Sequence, residues 1–176
     1  MDRSLKRRLG LVFGFVFIDL LGYSLILPLL PYYAEAFGAS LTLVGLLGTS
    51  NALAQLVAAP FIGRLSDRFG RRPLLIFSIF GTVLSFTVLG LAQSVAVLFL
   101  SRILDGLLGG NVALARAYIT DITDEDNRAR GLGVIGAAFG LGFIIGPAMG
   151  GFLSRYGFAA PAFLAAGLSL LNLIAV

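Results

Sequence analysis

Six long apolar stretches, at about 9–37, 41–62, 73–92, 95–119, 131–153 and 159–176, alternate along the chain with short clusters of charged, polar or glycine residues. Each is close to the roughly 20 residues that carry a helix across the hydrocarbon core of a bilayer. In that core every backbone amide must find its partner inside the protein, and stretches of this length are too long for barrel strands, so the pattern predicts helices. Residues 1–8 form a basic tail before the first stretch. Tail, apolar run and Ala34-Glu35-Ala36 together mimic a cleaved signal peptide, but the run from Leu9 to Pro31 is too long for one and contains Asp19.

Composition strengthens this reading. Of 176 residues, 58% are hydrophobic and only 12% are charged, with a mean hydropathy of +0.97, more apolar surface than a water-soluble chain can hide. Six spanning helices need roughly 120 residues, which leaves enough for five short loops and a tail. There is no cysteine and no histidine. Disulfides, thiolate chemistry and the commonest proton shuttle and metal ligand are therefore excluded, no cofactor or metal is expected, and proton chemistry falls to carboxylates.

Thirteen Lys and Arg against nine Asp and Glu would hint at nucleic acid in a soluble protein, but their placement argues against that partner. The basic groups Arg3, Lys6, Arg7 and Arg8, then Arg64, Arg68, Arg71 and Arg72, then Arg128 and Arg130 punctuate the apolar stretches. With the N-terminus in the cytoplasm these ten lie on the inner side, against Arg155 alone outside. The positive-inside rule selects that orientation, for a multi-pass protein of the cell inner (plasma) membrane whose first partner is the lipid bilayer. Asp124, Glu125 and Asp126 read as a solvated loop. The last stretch ends at Val176 with no basic flank, so a further partner is expected: a missing six-helix half or a second copy of this chain.

Charges within apolar stretches are costly and default to function, which singles out Asp19, Arg102 and Asp105. Asp19 and Asp105 each lie roughly 15 Å from the nearer end of their helix, close to the midplane. Arg102 and Asp105, three apart, can pair on one face, the plain structural reading of both. Asn51 and Gln55 form a polar stripe in the second stretch, as a cavity lining or a helix-to-helix hydrogen bond. Pro28 removes a backbone bond from the carbonyl of Ser24 and predicts a kink beyond Gly22. Tyr32, Tyr33 and Tyr156 read as interfacial anchors. In the fifth stretch Gly136, Gly140, Gly142, Gly146, Gly150 and Gly151 surround Pro147, a pattern that by itself means a close-packing face.

Three motifs together resemble the major facilitator superfamily, and within it the drug:proton antiporters of the tetracycline-efflux type. Gly63-Arg64-Leu65-Ser66-Asp67-Arg68-Phe69-Gly70-Arg71-Arg72-Pro73 is similar to the superfamily's loop signature between the second and third helices. Leu100-Ser101-Arg102 with Gly106, Gly109 and Gly110 is similar to its fourth-helix motif. Gly142-x-x-x-Gly146-Pro147-x-x-Gly150-Gly151 is similar to its antiporter motif, and Asp19-Leu20-Leu21-Gly22 with Pro28 and Pro31 resembles the first helix of the tetracycline group. The likeness implies an all-α membrane protein of six transmembrane helices in two three-helix repeats, half of the major facilitator fold. It also implies a third helix outside a cleft formed by the first, second, fourth and fifth. In the loop, Gly63 and Gly70 permit close approach and an unusual turn, and Arg71 should reach an acid at the inner end of the fourth span, with Asp121 best placed. In the family this cluster latches against the second half.

The leading functional reading is the N-terminal half of a secondary transporter, not an enzyme, that exports small amphiphilic molecules or drugs in exchange for protons, with Asp19 or Asp105 titrating as a cavity opens alternately. No phosphate-cradling Gly-Lys-Ser/Thr loop is present for ATP. Two alternatives stay open. One is a symporter or facilitator for a sugar, metabolite or anion, with Arg102 on the substrate; the other is a non-transporting half that dimerises or assembles with a partner.

Overall fold

Glycine, proline and short polar side chains decide where the helices start and stop. The computed structural model describes the backbone of residues 3–176 and the side chains from Leu5 onward; residues 1 and 2 of the expected tail lie outside the described residues. Helix α1 is Arg3–Ile26, so most of the expected tail is helical, with Lys6, Arg7 and Arg8 exposed. A 3-10 turn at Leu27–Leu29 and α2, Leu30–Ala36, continue the first span. Pro28 and Pro31 each fall in the first turn of their segment, where a missing N–H is tolerated, and the α-helix gives way to the 3-10 turn there.

Helix α3, Leu41–Phe69, opens at Ser40, whose hydroxyl accepts from the Leu43 N–H at 3.4 Å. It continues through most of the expected second loop, a correction: Gly63, Asp67 and Arg68 lie on a helix, and the chain leaves it at Gly70, with φ 92°. Glycine alone takes that conformation cheaply, so α4, Arg71–Gly90, starts at the next residue.

The expected fourth span is two helices, α5 at Val95–Leu108 and α6 at Asn111–Ile122. Sterics explain the break: a Cβ at Gly109 would collide with the Asp105 carbonyl, and one at Gly110 would press on Ile62 at 3.3 Å. Helix α7, Glu125–Leu153, begins well before 131. The acidic run expected as a solvated loop is its N-terminus, where Asp124 accepts from the Asn127 N–H at 2.9 Å and Glu125 and Asp126 fill the first turn. Acidic groups suit the positive end of a helix. Arg128 and Arg130 lie on the same helix. Helix α8 is Ala159–Ala175.

Among the described residues five stretches are long and apolar enough to cross a membrane: Leu5–Ala36, Leu41–Phe69, Arg71–Gly90, Val95–Ile122 and Glu125–Tyr156. The expected sixth is the apolar α8, 17 residues long. Helix α1 is the most buried and lies against α7 and α8; α4 lies against α5, α6 and α8, and α3 against α5. Two apolar clusters stack along the bundle. One gathers Leu25, Ile26, Leu47, Phe86 and Leu98; the other gathers Val16, Ile79, Ile119, Ile135 and Ala138. Between them, at Thr82 and Ser85 on α4 and Asp19 on α1, the interior is polar.

Tyr32 and Tyr156 are exposed as expected of anchors, but Tyr33 is buried in the first cluster, edge-on to Phe158 at 4.7 Å. Its sequence neighbours could not reveal which way its turn of helix faced.

Candidate functional site

The polar layer is assembled from five helices. On α1, Asp19 is 9% exposed, and its Oδ1 accepts from Nδ2 of Asn111, the first residue of α6, at 2.5 Å. The second hydrogen of that amide goes to Thr82 Oγ1 on α4 at 3.0 Å. On α5, Arg102 is 2% exposed and faces Asp105 at 3.6 Å, stacks over Phe86 at 5.5 Å, and donates to the hydroxyls of Ser101 at 3.3 Å and Ser85 at 3.4 Å. Asn51 on α3 donates to Asp105 Oδ2 at 2.9 Å and to the Arg102 carbonyl at 3.0 Å, while its own carbonyl accepts from Gln55 at 3.4 Å. Arg102 and Asp105 are thus paired and hydrogen-bonded, as a low-dielectric interior requires, whereas Asp19 is held by the neutral amide of Asn111.

A cleft of about 540 Å³ opens onto this layer, lined among others by Asp19, Tyr23, Gln55, Asp105, Asn111 and Phe143. Arg102 lies behind its wall. One expectation is corrected here, and a second pair of alternatives is divided between two residues. The third span does not merely support from outside: Thr82 lines the cleft and Ser85 touches Arg102. Asn51 and Gln55 share a face, but Asn51 is buried in the α3–α5 contact and Gln55 faces the cleft. Close approach explains that contact, since a Cβ on Gly106 would strike Ala54 and the Asn51 carbonyl.

At the end of the bundle where α3 meets α4, Arg71 Nη1 lies 2.7 Å from Asp67 and 2.5 Å from Ser66 Oγ, and Nε donates to Asp121 on α6 at 2.9 Å. Arg68 covers the face of Phe69 at 5.3 Å, and Arg72 donates to the Val176 carbonyl at 2.9 Å. A Cβ added at Gly63 would meet nothing within 4 Å, so the close approach expected there is absent; Gly70 supplies the turn.

The glycines of α7 divide by face. Gly142, Gly146 and Gly150 lie against the α1 backbone at Leu20, Ser24 and Leu25, and Ser24 Oγ donates to the Gly142 carbonyl at 2.8 Å. Gly136, Gly140 and Gly151 have open space, and Pro147 is exposed. A four-residue spacing keeps three small residues on one face, which lets two backbones meet.

Sequence reasoning gives no place in the site to Asn111, Thr82, Ser85, Ser24 or Asn172, whose amide donates to the Phe15 carbonyl at 3.0 Å. Asn111 carried a usable signal, an amide inside an apolar stretch directly after Gly109-Gly110. Asn172 is likewise an amide inside an apolar stretch, whereas Thr82, Ser85 and Ser24 are small polar residues common in any spanning helix. Among the described residues no group of three or more His, Cys, Asp or Glu side chains is placed to hold a metal ion.

Comparison with known proteins gives a consistent picture. The family model described as Major Facilitator Superfamily matches residues 12–176. The chain is 38% identical to the class B tetracycline resistance protein of Escherichia coli over 162 residues, which are 90% of this chain and 40% of that one. It is 36% identical to multidrug resistance protein 2 of Bacillus subtilis (strain 168), over 89% of this chain and 39% of that one. Among solved structures it is similar to the human organic anion transporter MFSD10, with a TM-score of 0.85 and 28% identity, covering 99% of this chain and 47% of that one. The chain spans less than half the length of each.

Proposed function

The chain belongs to the major facilitator superfamily, and on that premise we propose that it acts as the N-terminal half of a proton-coupled exporter of small amphiphilic molecules. Its similarity runs throughout to membrane-spanning transporters and not to enzymes. The observation that carries the proton-coupled reading is Asp19: a carboxylate on the most buried helix, lining a cleft inside the bilayer-spanning region, with one hydrogen-bond partner on α6. A lone acid kept only for packing would be costly there, about 2.5–3.5 kcal/mol on insertion scales when charged. Efflux of drug-like molecules is supported by the tetracycline and multidrug resistance proteins among its relatives.

In this reading Asp19 carries the coupling proton. Asp105 is held by Arg102 and Asn51 as the framework beside it, and Gln55 contacts substrate. The Asp67–Arg71–Asp121 cluster with Gly63, Arg68, Gly70 and Arg72 biases the conformational equilibrium against a second six-helix half. The Gly142, Gly146 and Gly150 face, with Pro147 and Gly151, sets the α1–α7 approach. Six spanning helices in two three-helix repeats, with helices at about 9–37, 41–62, 73–92, 95–119, 131–153 and 159–176 and the N-terminus in the cytoplasm, complete the proposed arrangement in a cell inner membrane. Burial of Arg102 behind the cleft wall weighs against the alternative in which it contacts an anion.

Asp19→Asn in the complete transporter tests the proposal, because it keeps shape and hydrogen bonding and removes titration. The variant is expected to fold normally and to lose proton-driven accumulation in inverted membrane vesicles. Transport at the wild-type rate with unchanged pH dependence would eliminate Asp19 as the coupling group and shift attention to Asp105.

A further inference from the structure

The two buried asparagines beside the cleft are satisfied differently. Asn51 uses its whole amide: both hydrogens are donated, to Asp105 and to the Arg102 carbonyl, and its oxygen accepts from Gln55. Asn111 donates both hydrogens, to Asp19 and to Thr82, but its Oδ1 has no partner although the residue is only 5% exposed. A buried acceptor without a partner is costly, so a group that completes it in another state of the protein stabilises that state.

A primary amide and a carboxylic acid are complementary. The acid's carbonyl accepts from the amide N–H while its O–H donates to the amide oxygen, closing a ring of two hydrogen bonds. An ionised carboxylate offers acceptors only and meets just half of that pattern. We propose that Asn111 is the positioning residue for the coupling proton: it holds ionised Asp19 through one N–H bond, and on proton uptake it pairs with the acid through both halves of its amide. A hydrated proton in the cleft supplies the step: one O–H bond of hydronium breaks, leaving water, as the carboxyl O–H of Asp19 forms, and that O–H then donates to Asn111 Oδ1.

Placement links this pairing to backbone movement. Asn111 is the first residue of α6, directly after the Gly109–Gly110 break, so a change in its bonds acts at the junction of α5 and α6. The ionisable groups around Asp19 have other partners or another place. Arg102 is engaged by Asp105 on α5, Tyr23 lies on α1 one turn away with its ring tilted against Phe143 of α7, and Arg71 of α4 is held by Asp67 and Asp121. The α7 side chains lining the cleft, Phe139 and Phe143, are apolar, as are the residues of α8 packed along α1 apart from Ser169 and Asn172. Gln55 and Ser66 are the uncharged polar residues of α3 that line the cleft.

This inference rests on the reading of Asp19 as the proton carrier, and difference infrared spectroscopy of the complete transporter in lipid, recorded between acid and alkaline pH, separates the two. A carboxylic-acid carbonyl band that disappears in Asp19→Asn belongs to protonated Asp19. In Asn111→Leu that band is expected to shift to higher frequency, because its carbonyl has lost a donor, and in Asn111→Thr to shift by a smaller amount. Proton-driven transport by Asn111→Leu is expected to fall about tenfold or more while substrate affinity at fixed pH stays within about twofold. If Asp19 gives no acid band at any pH, both readings fail. If the band is present but unmoved in both variants, Asp19 still carries the proton and Asn111 has no part in holding it. Should Asn111→Leu fail to fold, Asn111→Thr alone decides between these outcomes.

Discussion

Arg71 and Arg102 each sit against aspartate, and the shorter contacts belong to the pair with less at stake. Arg71 lies 2.7 Å from Asp67 and 2.9 Å from Asp121, with side chains 25%, 68% and 50% exposed. Arg102 stands 3.6 Å from Asp105, yet their side chains are 2% and 8% exposed. Water can replace the bonds that Arg71 makes to Asp67 and Asp121. Around Arg102 nothing can, so Asp105, Asn51, Ser85, Ser101 and the Phe86 face form a set in which each member depends on the others. Burial, more than distance, sets what an ion pair costs to break.

The comparison breaks first at its dry end. Arg102→Ala leaves Asp105 buried without its countercharge, and is expected to destabilise the protein by about 3–5 kcal/mol, read from thermal unfolding in detergent. A loss below about 1 kcal/mol would mean that water reaches the pair and that burial does not set the two arginines apart. Next comes the seam that holds the polar layer in register. A Cβ on Gly146 would collide with Ser24 Oγ and approach the Leu25 nitrogen at 2.9 Å, so Gly146→Ala is expected to cost about 1–3 kcal/mol. Gly136→Ala, with open space around it, should be neutral or stabilising by up to about 1 kcal/mol; equal losses at the two positions would show that spacing, not contact, matters. The smallest effect belongs to the wet end: Arg71→Ala should change stability by about 1 kcal/mol or less, and less still in high salt. Its proposed work is conformational bias, so inward-to-outward populations, measured by distance labels in the complete transporter, are the quantity expected to move.

Asp19, Asp105 and Arg102 were legible in the sequence because a charge within an apolar stretch stands out whatever the fold. The partners of these groups were less legible. Thr82 and Ser85 look like ordinary small polar residues of a spanning helix, and only the packing of α4 against α5 and α6 turns them toward the network. Arg71 was matched to Asp121 from spacing and family resemblance, and the contact is there at 2.9 Å. Helix ends were read less well. Hydropathy marks where a segment stops being apolar, whereas a helix stops where its hydrogen bonds run out, so α3 and α7 extend into charged sequence that hydropathy alone assigns to loops.

By itself the order of residues determined that this chain is apolar, helical and divided into membrane-length stretches, and which charges stand inside them. Those properties are sums over neighbouring residues. The break at Gly109–Gly110, the burial of Tyr33, the division of the α7 glycines into a packed and an open face, and the union of Asp19 with Asn111 were decided by tertiary structure. The last joins residues 92 positions apart. Each depends on which face of one helix meets which face of another, and that choice is made by steric fit and hydrogen-bond pairing between segments distant in the chain.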